Sequence, residues 1–181
     1  MSEKKATPKR APAQAEVPGT AQSAAERRSV EGQLRALIDQ FAPVHLRLLT
    51  TVRKWLQKRL PTAHEVVYEY RDFLVISYSA TVHGYDGVLG IRADEAGVKL
   101  YFNSAKELPD PEKLLKGSGG QARWIALEGA STLAQAPILT LVDEAIARSR
   151  VPFASDGRGS VLMSPSSAKK ASKSSLNKSK E

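Results

Sequence analysis

The sequence predicts an α+β domain, with about five antiparallel strands in one sheet and helices packed on one of its faces. Three observations predict it. Apolar residues recur at helical spacing from Val30 to Leu60, alternate with a period of two from Glu65 to Asn103, and return to helical spacing after Pro137. The turns between the alternating segments are short and carry glycine, so neighbouring strands form an antiparallel meander. The resulting order is helix, helix, four strands, short helix, strand, helix, which is that of helices packed against an antiparallel sheet.

Each element has its own signal. Val30, Leu34, Leu37, Ile38 and Phe41 share one helical face, and Ser29 suits the N-cap. Pro43 suits the first turn of a second helix, which runs to Leu60 and stops at Pro61. Its apolar face is Val44, Leu48, Val52, Trp55 and Leu56, and Arg47, Lys54 and Lys58 line the opposite side. EVVYEY (65–70), FLVISYSA (73–80), GVLGIRA (87–93) and GVKLYFN (97–103) are rich in β-branched and aromatic residues and read as strands. In DPEKLLK, Asp110 suits an N-cap, Pro111 the first helical position and Gly117 the residue after the end, predicting one or two helical turns. RWIALE (123–128) is the fifth strand, and a last helix runs from Pro137 to near Arg150. GRGSVLM (157–163) is left with two alternatives, an extra edge strand or coil.

The chain has 181 residues, enough for one domain with a real core. It has no cysteine, which excludes disulfides and thiolate metal sites. No apolar run approaches the roughly 20 residues that span a bilayer. MSEKKATPKR is charged, with no apolar stretch behind it, so a secretory signal is not expected and a cytoplasmic location is. The net charge of +8 is unevenly placed: +3 in residues 1–28, +1 in 29–151 and +4 in 152–181. The basicity therefore lies in the ends. Segments 1–28 and 165–181 carry too few large apolar groups to offset the entropy of ordering, and they are expected to be disordered tails flanking a domain at 29–164.

The run LPDPEKLLKGSGGQARWIALE resembles the signature of the YdhG-like family, also called domain of unknown function 1801. The resemblance extends upstream through DFLVISYSATVHGYDGVLGIRADEAGVKLYF and downstream to VPFASDGRGSVLMSPSSAKK, covering roughly residues 30–170. It implies a frataxin-like fold, a bacterial-type cytoplasmic protein and, for some members, an iron-chaperone role. It carries no established set of catalytic residues. Many members have histidine directly after the signature arginine, where this chain has Trp124.

The candidate chemistry is limited. In KGSGG the lysine precedes the glycines and a strand follows, the reverse of a P-loop. The loop also lies at an expected helix C-terminus, whose dipole repels anions, so a cap and a return into the sheet is the favoured reading. Lys113, Lys116, Ser118 and Arg123 are the residues that would meet an anionic ligand there. The stripe Arg47, Lys54 and Lys58 is either a solvated face or a polyanion surface. Glu65, His83 and Asp86 are the metal candidates; no two histidines stand at metal spacing, and His83 and Asp86 share a turn and could share a metal, with a solvated hairpin tip the favoured reading. The first helix offers Glu31 and Asp39 alone, in contrast to the dense acidic ridge of frataxin. No nucleophile with a neighbouring base appears. The expectation is a non-catalytic binding or chaperone-like module for iron, another metal or a small ligand. The alternative is an accessory protein touching nucleic acid or another polyanion through its basic tails and the Arg47/Lys54/Lys58 face.

Overall fold

The computed structural model of the chain describes residues 22–118 and 121–164. The elements are α1 (Ala24–Phe41), α2 (Leu46–Arg59), β1 (His64–Glu69), β2 (Leu74–Ser79), β3 (Gly87–Asp94), β4 (Gly97–Phe102), β5 (Arg123–Leu127), α3 (Ala136–Ala147) and β6 (Val161–Met163). Short 3-10 turns occupy Pro43–His45, Gly84–Asp86, Ala105–Glu107 and Ala130–Ala134. The strands form one sheet in the order β5-β4-β3-β2-β1-β6. The α+β class and the antiparallel meander from β1 to β5 are as expected. The sheet is nevertheless mixed and six-stranded, because β6 pairs parallel to β1.

The alternation of the strands decides which side is buried. Tyr78, Leu89 and Phe102 stand opposite one another in register, as do Val67, Ile76, Ile91, Leu100 and Ile125. All are buried, and they join Leu34, Leu49, Val52, Leu56, Ile138 and Val142 of the helices in one core. Each fully buried large side chain contributes about 1.5–3 kcal/mol relative to exposure. The opposite side of the sheet carries no helix among the described residues.

Four expectations are corrected. Helix α1 begins at Ala24, not after Ser29, so residues 22–28 of the expected tail are structured. Ser23 and Glu26 form a capping box: the Ser23 hydroxyl accepts from the Glu26 N–H at 3.2 Å, and the Glu26 carboxylate accepts from the Ser23 N–H at 2.8 Å. The Ser23 hydroxyl, which also donates to the Glu26 carboxylate at 2.7 Å, and then the Ser23 N–H hold that carboxyl below its usual pKa. Residues 1–21 and 165–181, the rest of the expected tails, lie outside the described residues. In α2 the buried face is Leu49, Val52 and Leu56, with Leu48 and Trp55 at its margin. Val44 is 80% exposed, because Pro43–His45 form a 3-10 turn whose phase differs from that of the helix.

The helix expected over DPEKLLK does not form. Lys113 has φ 54°, in the left-handed region that interrupts a helix. Asp110 does act as a cap, but of a loop: its carboxylate accepts from the N–H groups of Leu114 and Leu115, both at 2.9 Å. The chain then runs extended, and Lys116 pairs with Trp124 on the outer edge of β5. Local capping signals were overridden by this pairing. Finally, α3 ends at Ala147, with Arg148 as its C-cap rather than continuing to Arg150.

GRGSVLM resolves as the edge strand. Gly159 donates to the Pro61 carbonyl at 3.1 Å, and Glu65 donates to the Ser160 carbonyl at 2.9 Å. The approach is so close that a Cβ on Gly159 would lie 1.8 Å from the Ala63 carbonyl oxygen, so only glycine fits. The far edge of β6 is covered by a side chain. The Gln22 amide donates to the Val161 carbonyl at 2.7 Å and accepts from the Val161 N–H at 3.0 Å, standing in for a further strand.

Candidate functional site

The side of the sheet without helices is the first candidate. Two rows cross it in register: Val66, Ser77, Gly90, Tyr101 and Trp124, and then Tyr68, Val75, Arg92, Lys99 and Ala126. Val66, Ser77 and Gly90 are buried, with Ser77 donating to the Gly84 carbonyl of the turn before β3 at 3.4 Å. The aromatic side chains are half-buried, with part of each ring at the surface. Cations stand over them. The Arg92 guanidinium lies 3.8 Å from the Phe73 ring centroid, and Phe73 stacks on Tyr70 at 4.5 Å. The ammonium groups of Lys99 and Lys116 lie 5.0 and 5.9 Å from the Trp124 ring centroid. Arg92 pairs with Asp94 at 3.1 Å, while Lys99 and Lys116 make no ion pair among the described residues. The face therefore combines flat rings with excess positive charge. Cation–π contacts at such partly exposed sites are worth about 0.5–1 kcal/mol each, weak enough to be exchanged for a ligand.

The second candidate lies between the helices and β1. Arg53 of α2 donates through Nε to Glu65 at 2.7 Å, and through Nη1 and Nη2 to Glu31 of α1 at 2.7 and 2.6 Å. Gln57 donates to the other Glu65 oxygen at 2.7 Å. Burial penalises the Arg53 charge most, but its bonds to Glu31 and the charge of Glu65 outweigh that and raise its pKa. Glu31 is held below the usual carboxylate range, chiefly by its hydrogen bonds from Arg53. The hydroxyl of Tyr78, fully buried beside Glu65, has no hydrogen-bond partner at bonding geometry among the described residues. Burial, and then the Glu65 charge, push its pKa well up, so it stays protonated.

The third candidate is an open cleft of about 690 Å³ at the end of the sheet, bordered by Tyr85, Asp86, Asn103, Lys106, Arg148 and Arg150. Its size suits a small ligand. Tyr85 is 81% exposed and stacks on His83, with centroids 5.2 Å apart. Asp86 accepts from the Thr81 hydroxyl at 2.8 Å.

The residues singled out from the sequence are dispersed. Glu65 is buried and engaged by Arg53 and Gln57, whereas His83 and Asp86 sit on the turn before β3. Among the described residues no group of three or more His, Asp or Glu gathers where a metal ion would bind. Of the anion candidates, Lys116 reaches Trp124, whereas Lys113 and Ser118 are exposed on the loop and Arg123 is half-buried opposite Phe102 on the core-facing row. Arg47, Lys54 and Lys58 are exposed on α2, in the helical layer behind the sheet. Arg92, Lys99, Phe73 and Trp124 were missed as a set. The signal was present in the period of two, which puts 92, 99 and 124 on one side once the strand register is known. No helix among the described residues is long and apolar enough to cross a membrane. No protein-family model, no curated protein and no solved structure matches the chain.

Proposed function

We propose that the protein is a non-catalytic binding module that takes single-stranded nucleic acid on the open face of its sheet. One observation carries this reading: on that face, Lys99, Lys116 and Arg92 stand over the rings of Trp124 and Phe73. Bases stack on rings and phosphates pair with cations, and a flat sheet with both serves a single strand whatever its sequence. This takes up the polyanion partner that the sequence offered as the alternative to metal or small-ligand binding, but moves the contact from the tails and the helix stripe to the sheet. The helices-over-sheet arrangement supports reading the fold as frataxin-like, as the YdhG-like resemblance implies. The iron reading has no comparable support, since Glu65, His83 and Asp86 stand apart.

The test is a titration of a short single-stranded oligonucleotide at low salt, followed by the fluorescence of Trp124 in a Trp55→Phe background. Saturable quenching is expected. Trp124→Ala is expected to weaken binding roughly five- to 150-fold, the equivalent of about 1–3 kcal/mol per stacked base. Lys99→Glu is expected to weaken it as well, while Lys54→Glu, on the helical side, changes it little. Quenching that is absent, or equal sensitivity to Lys54→Glu and Lys99→Glu, would remove the sheet face as the site.

A small-ligand site in the end cleft is the second reading. Its volume and the exposed ring of Tyr85 beside Lys106 and Arg150 favour an aromatic anion there.

A further inference from the structure

A smaller cleft, of about 260 Å³, opens where the start of α1 meets the turn before β6, and Arg27 and Arg158 are both on its wall. Neither arginine makes an ion pair among the described residues, and Asp156, close by in sequence, pairs with neither. Arg27 donates to the Gly159 carbonyl and is thereby anchored. Arg158 is exposed, in the turn before β6. Gly157 has φ +90°, which side-chain-bearing residues avoid, and Gly159 is pressed against Ala63. Ser160 donates its N–H to the His64 ring at 3.2 Å, and Gly159 donates to Pro61 at 3.1 Å. The glycines on either side of Arg158 are thus required to place it.

The charges around the cleft do not balance. Arg27, Arg53 and Arg158 interact with Glu31 and Glu65, so three guanidinium groups meet two carboxylates. Arg53 bonds both carboxylates directly, and Glu65 is also on the cleft wall, so Arg27 and Arg158 share its charge with Arg53 and the wall keeps an excess of positive charge. Burial, followed by repulsion from Arg158, lowers the pKa of Arg27, against the attraction of Glu31 and Glu65. Two guanidinium-bearing residues on one cleft can supply several N–H donors, and a tetrahedral oxyanion accepts several N–H bonds at once.

We infer that the Arg27–Arg158 cleft is a phosphate-group site, separate from the sheet face, which the Gly157–Gly159 turn builds by carrying Arg158 opposite Arg27. The anion offsets the spare positive charge and joins the N-terminal helix to the C-terminal strand. A bound phosphate would therefore tighten the closure of the sheet edge at β6.

The experiment is a calorimetric titration of the full chain with inorganic phosphate and, in a second arm, with methyl phosphate, against chloride at matched ionic strength. One-site saturable binding of phosphate is expected. Arg158→Ala should weaken it at least tenfold and Arg158→Lys by less, since the ammonium restores the charge but not the fork. Arg158 is exposed, so folding survives the change; an unaltered far-UV spectrum and unaltered oligonucleotide binding by the sheet face would verify that. Tighter binding of methyl phosphate assigns the site to phosphate esters, and equal binding assigns it to the free ion. Phosphate heats no different from chloride, or equal phosphate affinity in wild type and Arg158→Ala, would overturn the assignment.

Discussion

Arg53 ties α1, α2 and β1 together through its ion pairs. It spans Glu31 on α1 and Glu65 on β1, and Glu65 is only 3% exposed. Removing one partner of such a pair leaves a charge buried without compensation, at a cost of about 3–5 kcal/mol. Arg53→Leu is therefore expected to lower the urea unfolding free energy by roughly that amount. Replacing both Arg53 and Glu65 by leucine should cost less than Arg53→Leu alone, because the buried Glu65 charge is no longer stranded and only the partly exposed Glu31 loses its partner. Equal losses in the two variants would mean that the Glu65 carboxylate is stabilised by something other than Arg53. Tyr78 belongs to the same neighbourhood. A hydroxyl left unbonded in a core is a cost and not a contact.

At the scale of elements, the junction of β1 with β6 responds to pH. His64 opens β1, and its Nδ1 accepts the Ser160 N–H, which requires an unprotonated nitrogen. Burial lowers the His64 pKa below its ordinary 6.5. The sign follows from linkage. Below pH 6.5 the unfolded chain binds a proton at His64 while the folded chain does not, so folding loses free energy as pH falls toward the folded pKa. The contribution is fully present above 6.5. Urea midpoints at pH 8 and at about pH 5 should differ in the wild type, and the difference should shrink in His64→Gln. An identical pH response in both proteins would place the titration elsewhere. The same reasoning predicts that acid loosens the turn carrying Arg158, because protonation of His64 removes the bond that pins Ser160.

For the whole molecule, the question is where the positive charge acts. The central segment is nearly neutral, yet Lys99, Lys116 and Arg92 stand on one side of the sheet, and the strongly basic segments lie at the ends. Three cations neutralising three phosphates of a single strand predict a salt slope of about −2 for the sheet face alone, at ~0.7 per contact. The full chain should show a steeper slope, since Lys169, Lys170, Lys173, Lys178 and Lys180 add diffuse attraction. Deleting residues 165–181 should flatten the slope toward that value while the Trp124 quenching still saturates. Loss of the quenching with the tail would show that the tail, and not the sheet, holds the strand.

Much of the fold was legible in the sequence because the signals were local and periodic. Strands 87–93 and 97–103 were read to within a residue or so, since alternation and turn glycines act over a few residues. The Asp110–Lys116 helix failed for the opposite reason. Its caps were genuine, but a strand pairing with Trp124, itself a tertiary contact, competed with them and won. The start of α1 was misplaced because Ser29 and Ser23 both suit a cap, and Glu26 lies at the right spacing only for Ser23. By itself the sequence determined the α+β class, the meander, the absence of thiol chemistry and the basic ends. All of these depend on composition or on neighbours along the chain. Only the tertiary structure decided that β6 closes the sheet beside β1, that Glu65 is a buried ion-pair partner and that Lys99, Lys116 and Trp124 meet. It likewise decided that Arg27 and Arg158 face one cleft. Each of these joins residues far apart in sequence, and no periodicity records a distance that the chain closes only by folding.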